Sequence, residues 1–326
     1  MSTDAVIAAR QTILVTGANG LVGQAVCRAL ARQGHQVFAA MREPHRLAHD
    51  QVKPVQAPDL ADPQGQWPLN GVDVVVHTAA RVHIMGAQGQ DVAAYNAINC
   101  EGTQRLAQAC VAAGVKRLVF LSTIKVHGEQ TQAGRPFRRD DPLMPSDPYA
   151  QSKAQAEQAL FALSQQGLLQ VTVVRAPLVY ARGARANLHT LKRWIDRGWP
   201  LPIGALDQNR RSLVSLANLV DLLACCVGHP GAANQAFLVS DGHDVSTLQL
   251  AQAIAAASER PLRTWSVPPR LLAAVARLLG RQAMVQRLTE NLQIDMTATE
   301  TQLGWRAPES LAQGMRDAFG RPDQDA

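Results

Sequence analysis

The chain holds three tyrosines, Tyr95, Tyr149 and Tyr180, and one of them lies four residues before a lysine in SDPYAQSKAQAE (146–157). Four residues is about one helical turn, so on a helix the Tyr149 phenol and the Lys153 ammonium share a face. A free phenol titrates near 10 and exchanges protons poorly at neutrality. A neighbouring cation favours phenolate, and lowering the pKa by about three units takes roughly 4 kcal/mol of differential stabilisation. Such a pair suits proton transfer to or from a substrate oxygen. A hydroxyl to hold that oxygen is offered by Ser122 and Thr123 in FLSTIKVHGE (120–129). By itself, Tyr-x-x-x-Lys also fits an ordinary surface helix with an aromatic contact. The elements around it decide.

Asp147 and Pro148 read as an N-cap and first helical residue, which puts Tyr149 in the first turn and Lys153 one turn on. Ser122 and Thr123 end the apolar run RLVFLST (117–123), and open parallel sheets bind ligands at the carboxyl ends of their strands. Near the N-terminus, TILVTGANGLVGQAVCRALARQGHQVFAAMR reads strand, glycine turn, helix, strand. Ile13, Leu14 and Val15 suit a strand buried on both faces. Val22, Val26, Ala29 and Leu30 recur at helical spacing, and Gly34 is the expected stop. Gly17, Gly20 and Gly23, spaced G-x-x-G-x-x-G rather than G-x-G-x-x-G, leave room for a pyrophosphate at the helix-opening amides, including those of Leu21 and Val22. In this strand–turn–helix setting the turn predicts dinucleotide binding. The next strand ends at Met41, where an acidic residue would bind ribose hydroxyls. Arg42 follows instead and favours the 2′-phosphate of NADP(H), although a solvated arginine has the same appearance.

Further strand-like runs at 72–80 and 171–177, with a helical stretch at 99–114 among the intervening segments, predict an α/β fold with a doubly wound parallel sheet. The expected dinucleotide domain is 11–176, with segment 212–240 returning to it. A smaller, mostly helical substrate region takes 177–211 and 241–320. Ser246 and Gln249 have capping-box spacing. The five cysteines lack ligand spacing and read as buried thiols of a reducing compartment, and no metal site is expected. The formal charge of +6 is scattered in basic pairs without interleaved aromatics, which argues against nucleic acid. No signal peptide or membrane span is read, so the expected location is the cytoplasm.

These stretches, with HTAA (77–80), NCEGTQRL (99–106), RAPLVY (175–180), RRSLVSLANLVD (210–221) and LGWRAPESLAQGM (303–315), resemble the extended short-chain dehydrogenase/reductase family, in its NAD-dependent epimerase/dehydratase branch. The resemblance runs nearly the length of the chain. It implies a Rossmann-type fold and NAD(P)(H). Gly17, Gly20 and Gly23 would hold the pyrophosphate, Asp59 and Leu60 would flank adenine, Ala79 and Ala80 would line the cleft, and Pro177 would border the nicotinamide. Thr123 takes the place of the family's catalytic hydroxyl, and Tyr149 and Lys153 that of its acid/base pair, both also touching cofactor. Thr123, Lys125, Asn187 and Arg211 are the expected substrate contacts, the last two at positions that often meet a nucleotide-sugar diphosphate.

The common VYGPG reads VYARG here, and the tyrosine often found before Gly128 is His127. STIKVHGE, the arginine-rich 181–223 stretch and LLAAVARLLGR look like bacterial 4-keto-sugar reductases, which make UDP-N-acetylquinovosamine from UDP-4-keto-6-deoxy-N-acetylglucosamine. Relatives of these are often named UDP-glucose 4-epimerases, so a UDP-hexose 4-epimerase with bound NAD is the alternative. A dinucleotide-sensing or RNA-binding protein on the same fold is the non-catalytic one. The resemblance also implies a homodimer through a four-helix bundle. The late arginine-flanked helix at 270–281 is expected to pack in the substrate cap, with a membrane surface as its other destination.

Overall fold

The chain follows itself from strand to helix to strand. The computed structural model describes residues 10–45, 51–82, 91–184, 187–278, 280 and 282–320, with the backbone alone at 187, 283 and 284. Its strands are β1 (Thr12–Thr16), β2 (Gln36–Met41), β3 (Val52–Gln56), β4 (Val74–His77), β5 (Arg117–Thr123), β6 (Gln170–Ala176), β7 (Leu178–Tyr180), β8 (Leu213–Ser215) and β9 (Gln235–Leu238). Seven of them form one parallel sheet in the order β3-β2-β1-β4-β5-β6-β9, and β7 and β8 pair separately. The chain runs outward from β1 through β2 to β3, then returns to the other side of β1 with β4. That reversal opens a crevice at the carboxyl ends of β1 and β4, where doubly wound sheets take their ligands.

Alternate strand residues feed two apolar layers, as a sheet covered on both faces requires. Ile13, Val15, Val74, Val76 and Val119 pack with α1 (Leu21–Arg32), through Val26 and Leu30, and with α6 (Leu216–Gly228), through Leu219 and Leu223. Leu14, Val75, Leu118 and Phe120 face the other way. They pack on α3 (Gly102–Ala112), through Leu106, and on α4 (Pro148–Gln165), through Ala156 and Leu160. The remaining helices are α2 (Val92–Tyr95), α5 (Asn187–Asp196), α7 (Thr247–Ala257), α8 (Pro269–Leu278), α9 (Gln282–Thr289), α10 (Thr297–Leu303) and α11 (Leu311–Phe319). Residues of α5, α7 and α11 build a third core with Tyr180, Leu201 and Leu213. Leu303 and Trp305, late in the chain, join the α1/α6 layer instead.

Local signals operate as physical chemistry prescribes. Gly34 takes φ +88° after the last turn of α1, and Ser246 and Gln249 close a reciprocal capping box on α7. Two elements differ from the sequence expectation. β3 lies on the sheet edge, carries Pro54 and buries only Val52, so it lacks the apolar run that marks an inner strand. The helix expected at 99–114 begins earlier, at Val92, and widens into a π segment over Asn96–Glu101 before α3. Four cysteines are buried, Cys225 is half-buried, and all five are free thiols. Among the described residues no helix is long and apolar enough to cross a membrane.

Candidate active site

The glycine turn between β1 and α1 forms one wall of the crevice. Gly17 adopts φ +69°, and a Cβ there would lie 2.8 Å from the Ala79 backbone; a Cβ at Gly23 would collide with the Gly17 carbonyl. The two glycines therefore let the turn approach the segment after β4 and let α1 start against the turn. Helix α1 has Gly20 as its N-cap and no side-chain cap. The first amides of a helix, here those of Leu21, Val22 and Gly23, have no intrahelical acceptor and sit at the positive end of the dipole. A cradle that side chains would fill, edged by amides, fits a pyrophosphate.

The opposite wall is fixed by a buried histidine that the sequence reading passed over. Thr103 Oγ1 gives its proton to the Asn99 carbonyl at 2.7 Å, so it accepts from His77 Nε2 at 2.9 Å. The other ring nitrogen, Nδ1, then accepts from Thr16 Oγ1 at 2.6 Å, and the Ala79 amide donates to that same hydroxyl at 3.3 Å. Burial holds His77 down to about 3, so the imidazole is neutral as this chain of bonds demands. One ring thus ties β1, β4 and α3 together and sets Ala79 in place.

Asn99, in the π segment, locks this wall to the Tyr149 helix. Its Oδ1 accepts from the Arg81 amide at 2.8 Å, and its Nδ2 donates to the Arg81 carbonyl and to Ser152 Oγ, each at 3.0 Å. Ser152 Oγ in turn donates to the Tyr149 carbonyl at 2.8 Å. The expected cap is present: the Asp147 carboxylate accepts from the Ala150 amide at 2.7 Å, with Pro148 opening α4. Helix α4 is stapled to the end of β5 twice. Lys153 Nζ donates to the Leu121 carbonyl at 2.7 Å, and Lys125 Nζ pairs with Asp147 at the same distance.

Tyr149 is half-buried, with its ring edge-on to Tyr95 at 6.1 Å between centroids. Burial pushes its phenol well above the usual 10, and the Asp147 carboxylate and Tyr95 add to the effect. The expected lowering by Lys153 is therefore not the dominant influence. Lys153 is itself fully enclosed, 4.1 Å from the centroid of the Phe120 ring, and burial brings it down to about 7 while Glu157 resists. Tyr149 is consequently a protonated phenol at neutral pH.

The two candidate hydroxyls separate by strand alternation. Ser122 donates a short hydrogen bond to Glu157, which receives the Arg175 guanidinium at 2.7 and 3.0 Å in a buried pair. Arg175 continues to His127 Nε2 at 2.9 Å. This network lies beneath the site and consumes Ser122. Thr123 stands on the other side of the strand, where its oxygen accepts from the Lys125 amide at 3.3 Å, the cap of a 3₁₀ turn.

The other expected contacts are placed less uniformly. Arg42 and Asp59 meet at 3.0 Å on the surface, and the Ala61 amide and Arg42 hold the Asp59 carboxyl below its usual range. Leu60 is fixed by Arg105, which donates to its carbonyl at 2.6 Å. Ala80 lies half-buried beside Ala79, and Pro177 is buried between β6 and β7. The Lys125 ammonium is already held by Glu129 at 2.6 Å as well as by Asp147, so it acts here as a staple. Arg211 donates to the Glu290 carbonyl at 3.3 Å, and burial lowers its pKa. Asn187 opens α5, and its side chain lies outside the described residues.

Residues 13–239 match the NAD dependent epimerase/dehydratase family, well over half the chain. The chain is 40% identical over 311 residues to a UDP-glucose 4-epimerase of Vibrio cholerae, covering 94% of each sequence. Among solved structures it is similar to a UDP-N-acetylglucosamine 4-epimerase from Bacillus cereus, with a TM-score of 0.75 at 18% identity over 95% of this chain and 98% of that one. It is also similar to MoeE5 in complex with UDP-glucose and NAD, with a TM-score of 0.72 at 24% identity over 94% of this chain and 97% of that one. The protein belongs to the NAD-dependent epimerase/dehydratase family of extended short-chain dehydrogenases/reductases. It is an enzyme of that class.

Proposed function

We propose that this enzyme carries out redox chemistry at C4 of a UDP-linked hexose, reducing the C4 ketone of a UDP-4-keto-6-deoxy-hexosamine in the cytoplasm for surface-polysaccharide synthesis. The observation that carries this reading is the double staple that holds the Tyr149–Lys153 turn of α4 against the β5 end bearing Thr123. Tyr149, kept protonated by its surroundings, gives its proton to the oxygen at C4. The Thr123 hydroxyl holds the same oxygen, and Lys153 binds the cofactor ribose while anchored to Leu121. Gly17, Gly20, Leu21, Val22 and Gly23 hold the pyrophosphate, with Asp59, Leu60, Ala79, Ala80 and Pro177 lining the rest of the cleft. A bound nicotinamide would supply hydride to the carbonyl carbon. Arg211 meets the sugar diphosphate, with Asn187 at the start of α5 as the second proposed contact, and Lys125 holds the wall beside the sugar through its carboxylate pairs. Arg42 favours NADP(H).

A second reading, a UDP-hexose 4-epimerase that recycles one bound NAD, is favoured by the 40% identity to the Vibrio cholerae protein of that name. The same residues would serve it, with Tyr149 taking the proton as phenolate, which the charge of an oxidised nicotinamide beside it would favour, and then returning it. The purified protein is mixed with UDP-4-keto-6-deoxy-N-acetylglucosamine and NADPH or NADH, and reduced cofactor and sugar product are followed together. Stoichiometric consumption with formation of the 4-hydroxy sugar supports the reductase. Interconversion of ordinary UDP-hexoses without added cofactor, and no consumption, establishes the epimerase instead.

A further inference from the structure

Helix α8 turns one stripe toward the protein and another toward solvent. Leu272 packs against the core built by α5, α7 and α11, and Ala276, one turn on, is buried. Leu271, Val275 and Leu278 share a different face and are 55%, 46% and 87% exposed. Arg270 and Arg277, also exposed, each precede a leucine of that stripe by one residue. The packing expected for this helix in the substrate cap is therefore confined to one narrow side. Of the 270–281 stretch, Leu279 and Arg281 lie outside the described residues.

The segment that leads into α8, and the one paired with it, each expose an indole. Trp265 is 60% exposed and Trp199 is 51% exposed. Their segments are paired: the Leu201 amide donates to Arg263 at 2.9 Å, and the Trp265 amide donates back to Leu201 at 3.0 Å. The Arg197 guanidinium sits 5.1 Å from the Trp199 ring centroid.

Charge in the sequence is distributed in the same sense. Residues 260–289 hold six arginines (260, 263, 270, 277, 281 and 287) and no aspartate, glutamate or lysine. Glu259 and Glu290 bound this acid-free run. We infer that α8, with Trp265 and Trp199 beside it, is a docking surface for an anionic phospholipid membrane. Leu271, Val275 and Leu278 enter the headgroup–acyl boundary, Arg270 and Arg277 meet lipid phosphates, and the indoles sit at the interface. A second copy would bring like charge against like charge. A nucleic-acid backbone would leave the apolar stripe in water. The helix is short, about 15 Å, so the attachment is shallow and reversible. This inference does not depend on the sugar chemistry.

Cosedimentation with vesicles tests it, using phosphatidylcholine alone or in equal parts with phosphatidylglycerol. The protein is expected to bind the mixed vesicles and not the neutral ones, with a blue shift of tryptophan fluorescence and release by salt. Replacing Arg270 and Arg277 with glutamine should weaken partitioning roughly fivefold per arginine. The Leu271→Gln, Leu278→Gln pair should weaken it roughly tenfold or more. Circular dichroism and thermal melting report whether each variant is folded, and Leu278→Gln alone, at the most exposed position, stands in if the pair is not. Failure to bind the mixed vesicles at low salt overturns the inference. So does vesicle binding that ignores the leucine changes and is matched by retention on polyuridylic acid, which would be charge alone. Self-association that the leucine changes abolish, without vesicle binding, would assign the stripe to a second copy and overturn it equally.

Discussion

The Lys153 ammonium donates to the Leu121 carbonyl at 2.7 Å, so the lysine of the α4 turn is anchored two residues before Thr123 on β5. A cation held this way reports to both the helix and the strand. Tyr149 needs no such anchor for its own fold, because its contribution to packing is an edge contact with Tyr95. Tyr149→Phe is therefore expected to lower turnover by about 10²–10⁴-fold while leaving cofactor affinity and melting temperature nearly unchanged. Lys153→Met should lower turnover and also weaken cofactor binding, since the proposed ribose contact and the strand anchor go together. Steady-state kinetics and cofactor titration separate the two variants. Near-normal turnover in Tyr149→Phe would remove the phenol from the mechanism.

Gly17 and Gly34 offer a matched comparison of backbone strain with and without a neighbour. Both have positive φ, but a Cβ at Gly34 meets nothing within 4 Å whereas one at Gly17 meets the Ala79 backbone at 2.8 Å. Gly34→Ala is expected to cost about 1–2 kcal/mol of stability and to leave cofactor affinity alone. Gly17→Ala should cost more and should also weaken cofactor binding, because the two walls of the crevice must move apart. Denaturant melts and cofactor titrations compare them. Equal losses in both measurements would mean that the Gly17–Ala79 approach has no part in holding the cofactor.

Arg42 is tied to Asp59 on the surface, and only one of the two suits a 2′-phosphate. If Arg42 receives that phosphate, Arg42→Ala should lower the NADPH/NADH ratio of kcat/KM roughly tenfold, the scale of one charge-assisted hydrogen bond. The Asp59→Asn change should move the ratio the other way, because it removes a charge that repels the phosphate. A ratio unmoved by Arg42→Ala would make the arginine a surface partner of Asp59 and nothing more.

The Tyr149–Lys153 turn and the inner sheet were legible because their signals are local. RLVFLST is a buried apolar run, Asp147-Pro148 caps its own helix, and the glycine turn sits where strand meets helix. What escaped was cooperative. Nothing in the sequence near His77 says that its two nitrogens will meet Thr16 and Thr103, residues 61 and 26 positions away. Asn99 lies within NCEGTQRL, but its clamp on Ser152 depends on a π widening that no periodicity announces. Lys125 illustrates the converse. The family resemblance made it a substrate contact, and only the fold shows two carboxylates already beside it.

Two buried imidazoles give the fold an acid limit. Arg175 can only donate to His127 Nε2, so Nδ1 carries the proton toward the Pro142 carbonyl and the ring is neutral. Burial, with the Arg175 charge, lowers His127 from 6.5 to about 4, and burial, with the Lys153 charge, lowers His77 to about 3. Below 6.5 the unfolded chain binds protons at these sites that the folded chain refuses, until the pH falls through 4 and then 3. Stability should accordingly fall as pH drops through that window, by up to about 1.4 kcal/mol per pH unit for each histidine, and these groups should add no slope above it. His127→Tyr, which removes one titrating ring, should flatten the acid limb by about one histidine's share. Melting temperature or urea midpoint measured from neutrality down to pH 4 reads the slope directly. An unchanged slope in the variant would show that His127 takes its proton without cost to the fold, against the tautomer that Arg175 imposes.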